Sequence, residues 1–282
     1  MRNQLGINGA TLPTSDLLTG IHVASASGFS YYEPRTPQLV EFDSQQGRRD
    51  IQAALAAEAL EWLPLNALEN VFSVTPNEMD QAAHEVCALA QRFGVLQIIV
   101  VPGAVVAPLS VSEAGDALHR LREIAESYGI ELLYEFIGFP HHAFPSLSQA
   151  RQVAKASGFA MVLDTFHLAV SQTAALEIRN MNAREIGLIH LSDAIVGDSS
   201  VVSIVDEDRV LPDEGGLPLS SFLRSFMDIG YAGPISVEVF HPKYKLVGPG
   251  KGALEAWKRT TAFLASVELP PNRIQEPERG LL

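Results

Sequence analysis

Four ionisable side chains stand at the ends of short apolar segments that are typical of buried strands: Glu135, Asp164, His190 and Glu238. A charged group among apolar neighbours is costly to bury unless it is paired or bound to a cation. A local ion pair could explain any one of the four. No Lys or Arg occupies an equivalent position in the predicted strands, so three carboxylates would be left uncompensated. A divalent cation held by all four side chains is the simplest compensation.

The expected ligand set indicates the kind of metal. Three carboxylates and one imidazole form an oxygen-rich site, which favours Mn²⁺ and is compatible with Zn²⁺, Co²⁺ or Mg²⁺. Structural zinc sites usually contain several cysteines, whereas this chain has only Cys87. We therefore expect one divalent metal ion as the cofactor and a buried structural role for Cys87.

The elements that must position these residues alternate along the chain. We predict strands near Leu5–Ala10, Tyr31–Glu33, Trp62–Asn66, Gln97–Val101, Glu131–Phe136, Ala160–Asp164, Ile186–Leu191 and Pro234–Phe240. Helical patterns follow at Ser15–Ser27, Gly47–Leu60, Pro76–Phe93, Val111–Tyr128, Leu147–Ser157, Gln172–Asn180, Leu219–Ile229 and Gly252–Val267. Eight strands alternating with eight helices predict an α/β fold, a single (β/α)8 TIM barrel over residues 1–268 as the catalytic domain. An open doubly wound sheet fits less well, because no Gly-x-Gly-x-x-Gly follows a predicted strand.

Two segments interrupt this regularity. Residues 194–218 form a long connection of the kind that is usually functional or disordered. Residues 269–282 form a Pro-containing charged tail, either a frayed end or an arm on a neighbouring subunit. Such an arm, together with the apolar helices, is compatible with a homodimer or homotetramer.

Composition excludes several classes of partner. The 282 residues carry a net charge of −13, which argues against nucleic acid and anionic membranes. No apolar run is long enough to span a membrane, and no secretory signal is visible at the N-terminus. We expect a cytoplasmic protein that acts on a small molecule.

Several motifs, in order along the chain, are familiar: Asn66-Ala67-Leu68, Tyr134-Glu135-Phe136-Ile137-Gly138-Phe139-Pro140, Leu163-Asp164-Thr165-Phe166-His167, Asp206-Glu207-Asp208-Arg209-Val210-Leu211-Pro212 and Ser236-Val237-Glu238-Val239-Phe240. Together they resemble the sugar-isomerase-like TIM barrels related to xylose isomerase. That family includes ketose 3-epimerases, hydroxypyruvate isomerases and, with the closest likeness, the inosose (2-keto-myo-inositol) isomerases.

The resemblance implies a function and roles for individual residues. It implies a metal-dependent isomerase or epimerase of a keto-polyol or sugar, inosose-like, working by proton transfer through a metal-stabilised enediolate. Glu135, Asp164, His190 and Glu238 would be the metal ligands, in agreement with the strand-end argument. Glu135 and Glu238 would also be the catalytic acid/base pair, and they are the only two glutamates among the four.

Substrate contacts are expected from four further residues, each with an alternative. The resemblance implies that His167 and Arg209 touch substrate oxygens; otherwise His167 is a surface or capping residue, and Arg209 pairs with Asp206 or Asp208 in its loop. Two further candidates are suggested by their place at strand ends. Asn66 suits hydroxyl recognition or loop capping, and Glu33 either binds substrate or pairs with Arg35.

Other functions are considered on the same residues. A lyase or dehydratase acting on a keto-inositol or a dehydroshikimate-like acid would begin with the same proton abstraction. An abasic-site endonuclease would need several metals, more histidine ligands and a positive face, which the charge of −13 opposes. A non-catalytic binding barrel is disfavoured because all four expected ligand positions are intact.

Overall fold

The fold is a parallel α/β barrel, described by a computed structural model over residues 4–104, 109–197 and 201–268. The strands are β1 Leu5–Asn8, β2 Tyr31–Glu33, β3 Glu61–Trp62, β4 Leu65–Leu68, β5 Gln97–Val100, β6 Glu131–Glu135, β7 Ala160–Asp164, β8 Ile186–Leu191, β9 Asp193–Ala194, β10 Arg209–Val210 and β11 Ile235–Val237. All except β9 and β10 belong to one sheet in the order β3-β2-β1-β11-β8-β7-β6-β5-β4. The predicted fold class is therefore confirmed.

The sheet closes through its third barrel strand, which is in two pieces. β3 and β4 lie at opposite ends of the sheet order and are separated in the chain only by Leu63 and Pro64. Leu63 N donates to Tyr32 O and keeps this segment beside β2, while β4 pairs with β5. Pro64 has no N–H to donate, so the ladder breaks there. The predicted strand Trp62–Asn66 is thus wrong as one continuous element.

The helices surround the barrel. They are α1 Leu17–Ser27, α2 Thr36–Glu41, α3 Gln45–Glu58, α4 Pro76–Phe93, α5 Val111–Ser127, α6 Leu147–Ser157, α7 Thr165–Val170, α8 Ala175–Arg179, α9 Leu219–Asp228 and α10 Pro249–Glu268. Local sequence explains the best-predicted bounds: Thr75 and Glu78 form a capping box at the start of α4, and Gly94 ends it at φ +70. Cys87 on this helix is fully buried, as expected, and burial raises its thiol pKa to about 11.

Inward-facing positions follow the period of two along each strand. Leu133, Val162 and Leu188 belong to a small apolar cluster apart from the larger core. Two residues further along the same strands come Glu135, Asp164 and His190. The alternation that buries the apolar layer therefore also directs the ionisable side chains into the C-terminal mouth of the barrel.

Two connections differ from the sequence-based expectation. The helix predicted at Gln172–Asn180 is the shorter α8, and α7 begins directly after Asp164. The long connection contains structure of its own, because β10 pairs antiparallel with β9 and a 3-10 turn covers residues 206–208. The tail expected at 269–282 lies outside the described residues. Within the described residues, we find no helix with the length and apolarity needed to cross a bilayer.

Candidate active site

Glu135, Asp164, His190 and Glu238, here called the four-residue cluster, come together at the mouth of the barrel. Each offers one ligand atom, and these atoms all lie within 4.8 Å of one another. The residues are nearly inaccessible, with exposed fractions between 0% and 5%. In the sheet, β7 and β8 lie between β6, which ends in Glu135, and β11, which precedes Glu238. The two glutamates therefore flank the cluster.

Glu238 lies one residue beyond the end of β11 and is held by bonds on either side. The buried Thr11 hydroxyl donates to Val237 O at 2.9 Å and accepts from Val239 N at 3.1 Å. Glu238 N itself donates to Leu191 O of β8. Because both flanking peptides are bonded, the side chain of Glu238 has a fixed origin although the strand has already ended.

His190 contacts carboxylates through both ring nitrogens. Its Nδ1 lies 3.1 Å from Glu135 Oε1 and 3.4 Å from Glu238 Oε2. Its Nε2 lies 3.0 Å from Glu33 Oε1, on the other side of the ring. The imidazole therefore lies between Glu33 Oε1 on one side and Glu135 Oε1 and Glu238 Oε2 on the other.

Arg209 enters the site from β10 and changes the charge argument. Its guanidinium donates to Asp164 and to Asp206 and lies 3.7 Å from Glu238 Oε2. The rings of Phe166 and Phe240 lie 4.2 and 5.2 Å from it. The expectation that no Arg compensates the buried carboxylates is therefore wrong: the compensating cation comes from a loop rather than a strand end. The predicted ion pair with Asp206 is present as well.

His167 lies on α7, the short helix that follows Asp164, with 3% of its surface exposed. Its Nε2 is 3.2 Å from an Arg209 nitrogen, and its ring meets the Phe139 ring at a centroid distance of 5.1 Å. Burial, with the adjacent Arg209 charge, lowers the pKa of His167 to about 3. Within the described residues its Nδ1 has no hydrogen-bond partner. The alternative of a surface histidine is wrong.

Glu33 and Asn66 lie together at the base of the site, joined by a residue that the sequence reasoning missed. Asn8, fully buried at the end of β1, donates to Glu33 Oε1 at 2.7 Å and to Glu238 Oε1 at 3.0 Å. Asn66 donates to the same two oxygens at 3.0 and 3.2 Å. Glu33 has no ion pair with Arg35 in the described part of the chain, and the Arg35 guanidinium lies near the Phe240 ring instead. The sequence could have indicated Asn8, because it is a polar residue near the end of the first strand, like the candidates on the other strands.

The protein's own charges set the protonation of the site. Burial alone would raise the pKa of Asp164 and Glu33, but Arg209 lowers it for Asp164 and His190 lowers it for Glu33. Burial raises the pKa of Glu135, and it raises that of Glu238 to about 8. Burial opposes the charged form of His190, but Glu238 and Glu33 outweigh it and raise its pKa well above 6.5.

The donor set fits one divalent cation. The cluster brings three carboxylates and an imidazole nitrogen within 4.8 Å, and such a mixture of oxygen and nitrogen ligands suits Mn²⁺, Zn²⁺ or Co²⁺. Burial raises the pKa of both glutamates and so favours their protonated forms in the absence of metal. A bound cation could replace those protons.

A groove of about 510 Å³ opens beside this cluster. Polar and charged residues line part of it, among them Arg35, Asp206 and Lys245, and Phe240 lies between it and Arg209. None of the four cluster residues lines the groove, whose link to the site is through Asp206 and Phe240, the two lining residues that contact Arg209.

Comparisons with known proteins agree with this geometry. The family described as xylose isomerase-like TIM barrel matches residues 21–267. An inosose isomerase of Halalkalibacterium halodurans is 28% identical over 272 residues, covering 91% of this chain and 94% of that protein. A crystal structure of the IolI protein with a bound zinc atom superposes with a TM-score of 0.86 and 25% identity, over 94% of this chain and 99% of that one.

A relative with a different activity also matches. A 3-dehydroshikimate dehydratase of Pseudomonas aeruginosa is 24% identical over 230 residues. The match covers 80% of this chain but only 36% of that protein.

Proposed function

This chain belongs to the xylose isomerase-like TIM barrel family, and from that premise we propose that it is a divalent-metal-dependent isomerase of an inositol ketone (an inosose). The observation that carries the proposal is the four-residue cluster, in which two glutamates flank one buried site. Inosose isomerases that align over nine-tenths of the chain support the substrate class.

Glu135, Asp164, His190 and Glu238 would hold the metal. When bound there, a divalent cation supplies Lewis-acid polarisation of a ketone and its neighbouring hydroxyl. Mn²⁺ is favoured by the oxygen-rich donor set, and the zinc in the IolI structure supports Zn²⁺ as an alternative.

Glu135 and Glu238 perform the proton transfer in this proposal. One carboxylate removes the proton from the carbon that bears the hydroxyl, which gives an enediolate, and the hydroxyl proton passes to the former carbonyl oxygen. The other delivers a proton to the former carbonyl carbon, and no atom or electron is gained overall. Positioned acids and bases of this kind contribute about 10²–10⁴-fold to rate.

The remaining polar residues bind and orient the substrate. Arg209 and His167 are proposed to contact substrate oxygens, because both are buried and adjacent to the cluster. The nearest aromatic rings, Phe139 and Phe166, help to exclude water from the reacting carbon. Asn66 lies at the base of the site, and its amide oxygen, which accepts no hydrogen bond from the described residues, suits a substrate hydroxyl.

The test uses matched glutamates on one strand. Glu135 and Glu131 are the last and first residues of β6, but Glu131 is exposed at the far end. With Mn²⁺ and 2-keto-myo-inositol in D₂O, we expect Glu135→Gln and Glu238→Gln to slow isomerisation and proton exchange about 10²–10⁴-fold. Glu131→Gln should retain wild-type rates. Full activity after metal removal, or in either cluster variant, would refute the proposal.

A dehydratase is the second candidate, favoured by the 3-dehydroshikimate dehydratase relative. Both reactions begin by removing a proton next to a carbonyl, but a dehydratase then expels a β-hydroxyl. Loss of water gives a conjugated product, so growth of ultraviolet absorbance with 3-dehydroshikimate and none with inosose would favour this candidate.

A further inference from the structure

We propose that Glu33 is a positioning residue that, with Asn8 and Asn66, fixes which atoms of His190 and Glu238 face the metal. This role rests on the proposed function and replaces the substrate contact expected for Glu33 from the sequence. It gives a role to three residues outside the four-residue cluster: Asn8 and Glu33, which end β1 and β2, and Asn66, which lies within β4.

The first step is the hydrogen bonding of Glu33 Oε1. This single oxygen meets Asn8 Nδ2 at 2.7 Å, Asn66 Nδ2 at 3.0 Å and His190 Nε2 at 3.0 Å. Two of these three groups are amide donors, so the oxygen acts as an acceptor, and His190 Nε2 is the third donor. Nδ1, whose proton a bound cation would replace, is then the ligand nitrogen, as expected for a histidine whose second ring nitrogen is held by a carboxylate.

The second step is the sharing of the two amides with Glu238. Asn8 and Asn66 each also donate to Glu238 Oε1, at 3.0 and 3.2 Å. Asn8 Oδ1 accepts from Ala10 N at 2.8 Å, which fixes the orientation of that amide with its Nδ2 toward the carboxylates. Because Oε1 is occupied by two donors, Glu238 presents Oε2, the oxygen that lies 3.4 Å from His190 Nδ1.

The third step concerns access. Glu33 has no exposed surface, and the His190 ring separates it from Glu135. Within the described residues no Lys or Arg nitrogen lies within 4.0 Å of its carboxylate. A carboxylate in this position can orient His190 and the two amides, but a substrate could reach it only by displacing the groups packed around it.

The experiment measures metal binding rather than activity alone. Metal-stripped wild type, Glu33→Ala and Glu33→Gln are titrated with Mn²⁺, with Glu61→Gln as control, since Glu61 is exposed on the neighbouring β3. Loss of a group that orients a ligand typically weakens metal affinity about 10–100-fold. We expect this loss for Glu33→Ala, a smaller one for Glu33→Gln because it keeps an acceptor oxygen, and none for Glu61→Gln. At saturating metal, KM for inosose should stay near the wild-type value.

A spectroscopic measurement tests the atom assignment even if Glu33→Ala folds poorly. In ¹⁵N NMR of the zinc-loaded wild type, His190 should carry its proton on Nε2 and bind metal through Nδ1; the reverse pattern would overturn the inference. Unchanged Mn²⁺ affinity with a raised KM in Glu33→Ala or Glu33→Gln would also overturn it, and would leave the proposed isomerase standing. Weakened Mn²⁺ affinity in an enzyme that turns over no inosose would support the positioning role and defeat the proposed function.

Discussion

Replacing Arg209 with methionine is expected to destabilise the metal-free protein strongly. The guanidinium is 2% exposed and donates to Asp164 and Asp206. Removing one member of a buried ion pair costs about 3–5 kcal/mol, because the partner charge remains buried. With an unfolding entropy of about 2.1 cal/mol/K per residue, 282 residues give about 0.6 kcal/mol per degree. The expected fall in Tm is therefore about 5–8 °C.

Arg151 provides the matched control. Its Nε and Nη2 lie 2.6 and 2.7 Å from the Glu185 oxygens, a two-bond contact of good geometry, but its side chain is 24% exposed. Ion pairs that water can reach contribute about 1 kcal/mol or less. Arg151→Met should therefore lower Tm by no more than about 2 °C. The difference between the Tm changes of the two variants measures how much burial adds to the cost of breaking an ion pair.

Thermal scans of both variants in EDTA and in saturating Mn²⁺ complete the test. A divalent cation at the four-residue cluster would also neutralise Asp164 and Glu238. The fall in Tm caused by Arg209→Met should therefore be smaller with metal. Linkage then requires this variant to bind Mn²⁺ more tightly than wild type. The reasoning is refuted if the fall in Tm for Arg209→Met is no larger than that for Arg151→Met. It is also refuted if Mn²⁺ leaves the fall in Tm of Arg209→Met unchanged.

Three other predictions concern protons and loop anchoring. The pKa of Glu238 is raised to about 8 and that of His190 lies well above 6.5, so Mn²⁺ binding near neutral pH should release protons. Calorimetry in buffers of different ionisation enthalpy measures this proton release, and zero release would contradict the prediction. The affinity for Mn²⁺ should also weaken as pH falls below about 8. The folded-state pKa of His167 is lowered from 6.5 to about 3, so the unfolded chain binds the extra proton and stability falls as pH drops from 6.5 toward 3. His167→Gln should show a shallower fall in Tm across that window than wild type, whereas the exposed His119→Gln should show the wild-type slope. Asp193 accepts bonds from the backbone N–H groups of Ala194, Gly215 and Leu217 and anchors the loop that carries Arg209. Asp193→Ala should cost about 2–3 kcal/mol in unfolding free energy and lower kcat/KM, and an unchanged denaturant midpoint would count against it.

Much of the barrel could be predicted because its signals are local. A capping box and a terminal glycine account for the bounds of α4, and apolar runs ending in polar residues predicted the strands that carry Glu135, Asp164 and His190. One further local signal, a proline, indicates a break in the third strand, which was predicted as continuous. Pro64 within the predicted third strand removes a ladder donor, which is why that strand is broken.

The rest of the site required the tertiary structure, because it depends on residues far apart in the chain. Arg209 comes from a loop whose position is set by pairing with β9, so its ion pair with Asp164 spans 45 residues. Asn8 meets Glu238 across 230 residues. No spacing or periodicity in a single segment encodes such contacts.

The amino-acid sequence by itself determined which side chains reach the mouth of the barrel, because a period of two along each strand decides which residues point inward. The closure of the sheet decided how those side chains meet. It placed Glu33 behind His190 rather than beside Arg35, and it brought the guanidinium of Arg209 to the buried carboxylates. It also left one glutamate on each side of a single buried site. The physical reason is that burial is costly for every one of these charges alone. Only their mutual contacts in the folded chain make it tolerable.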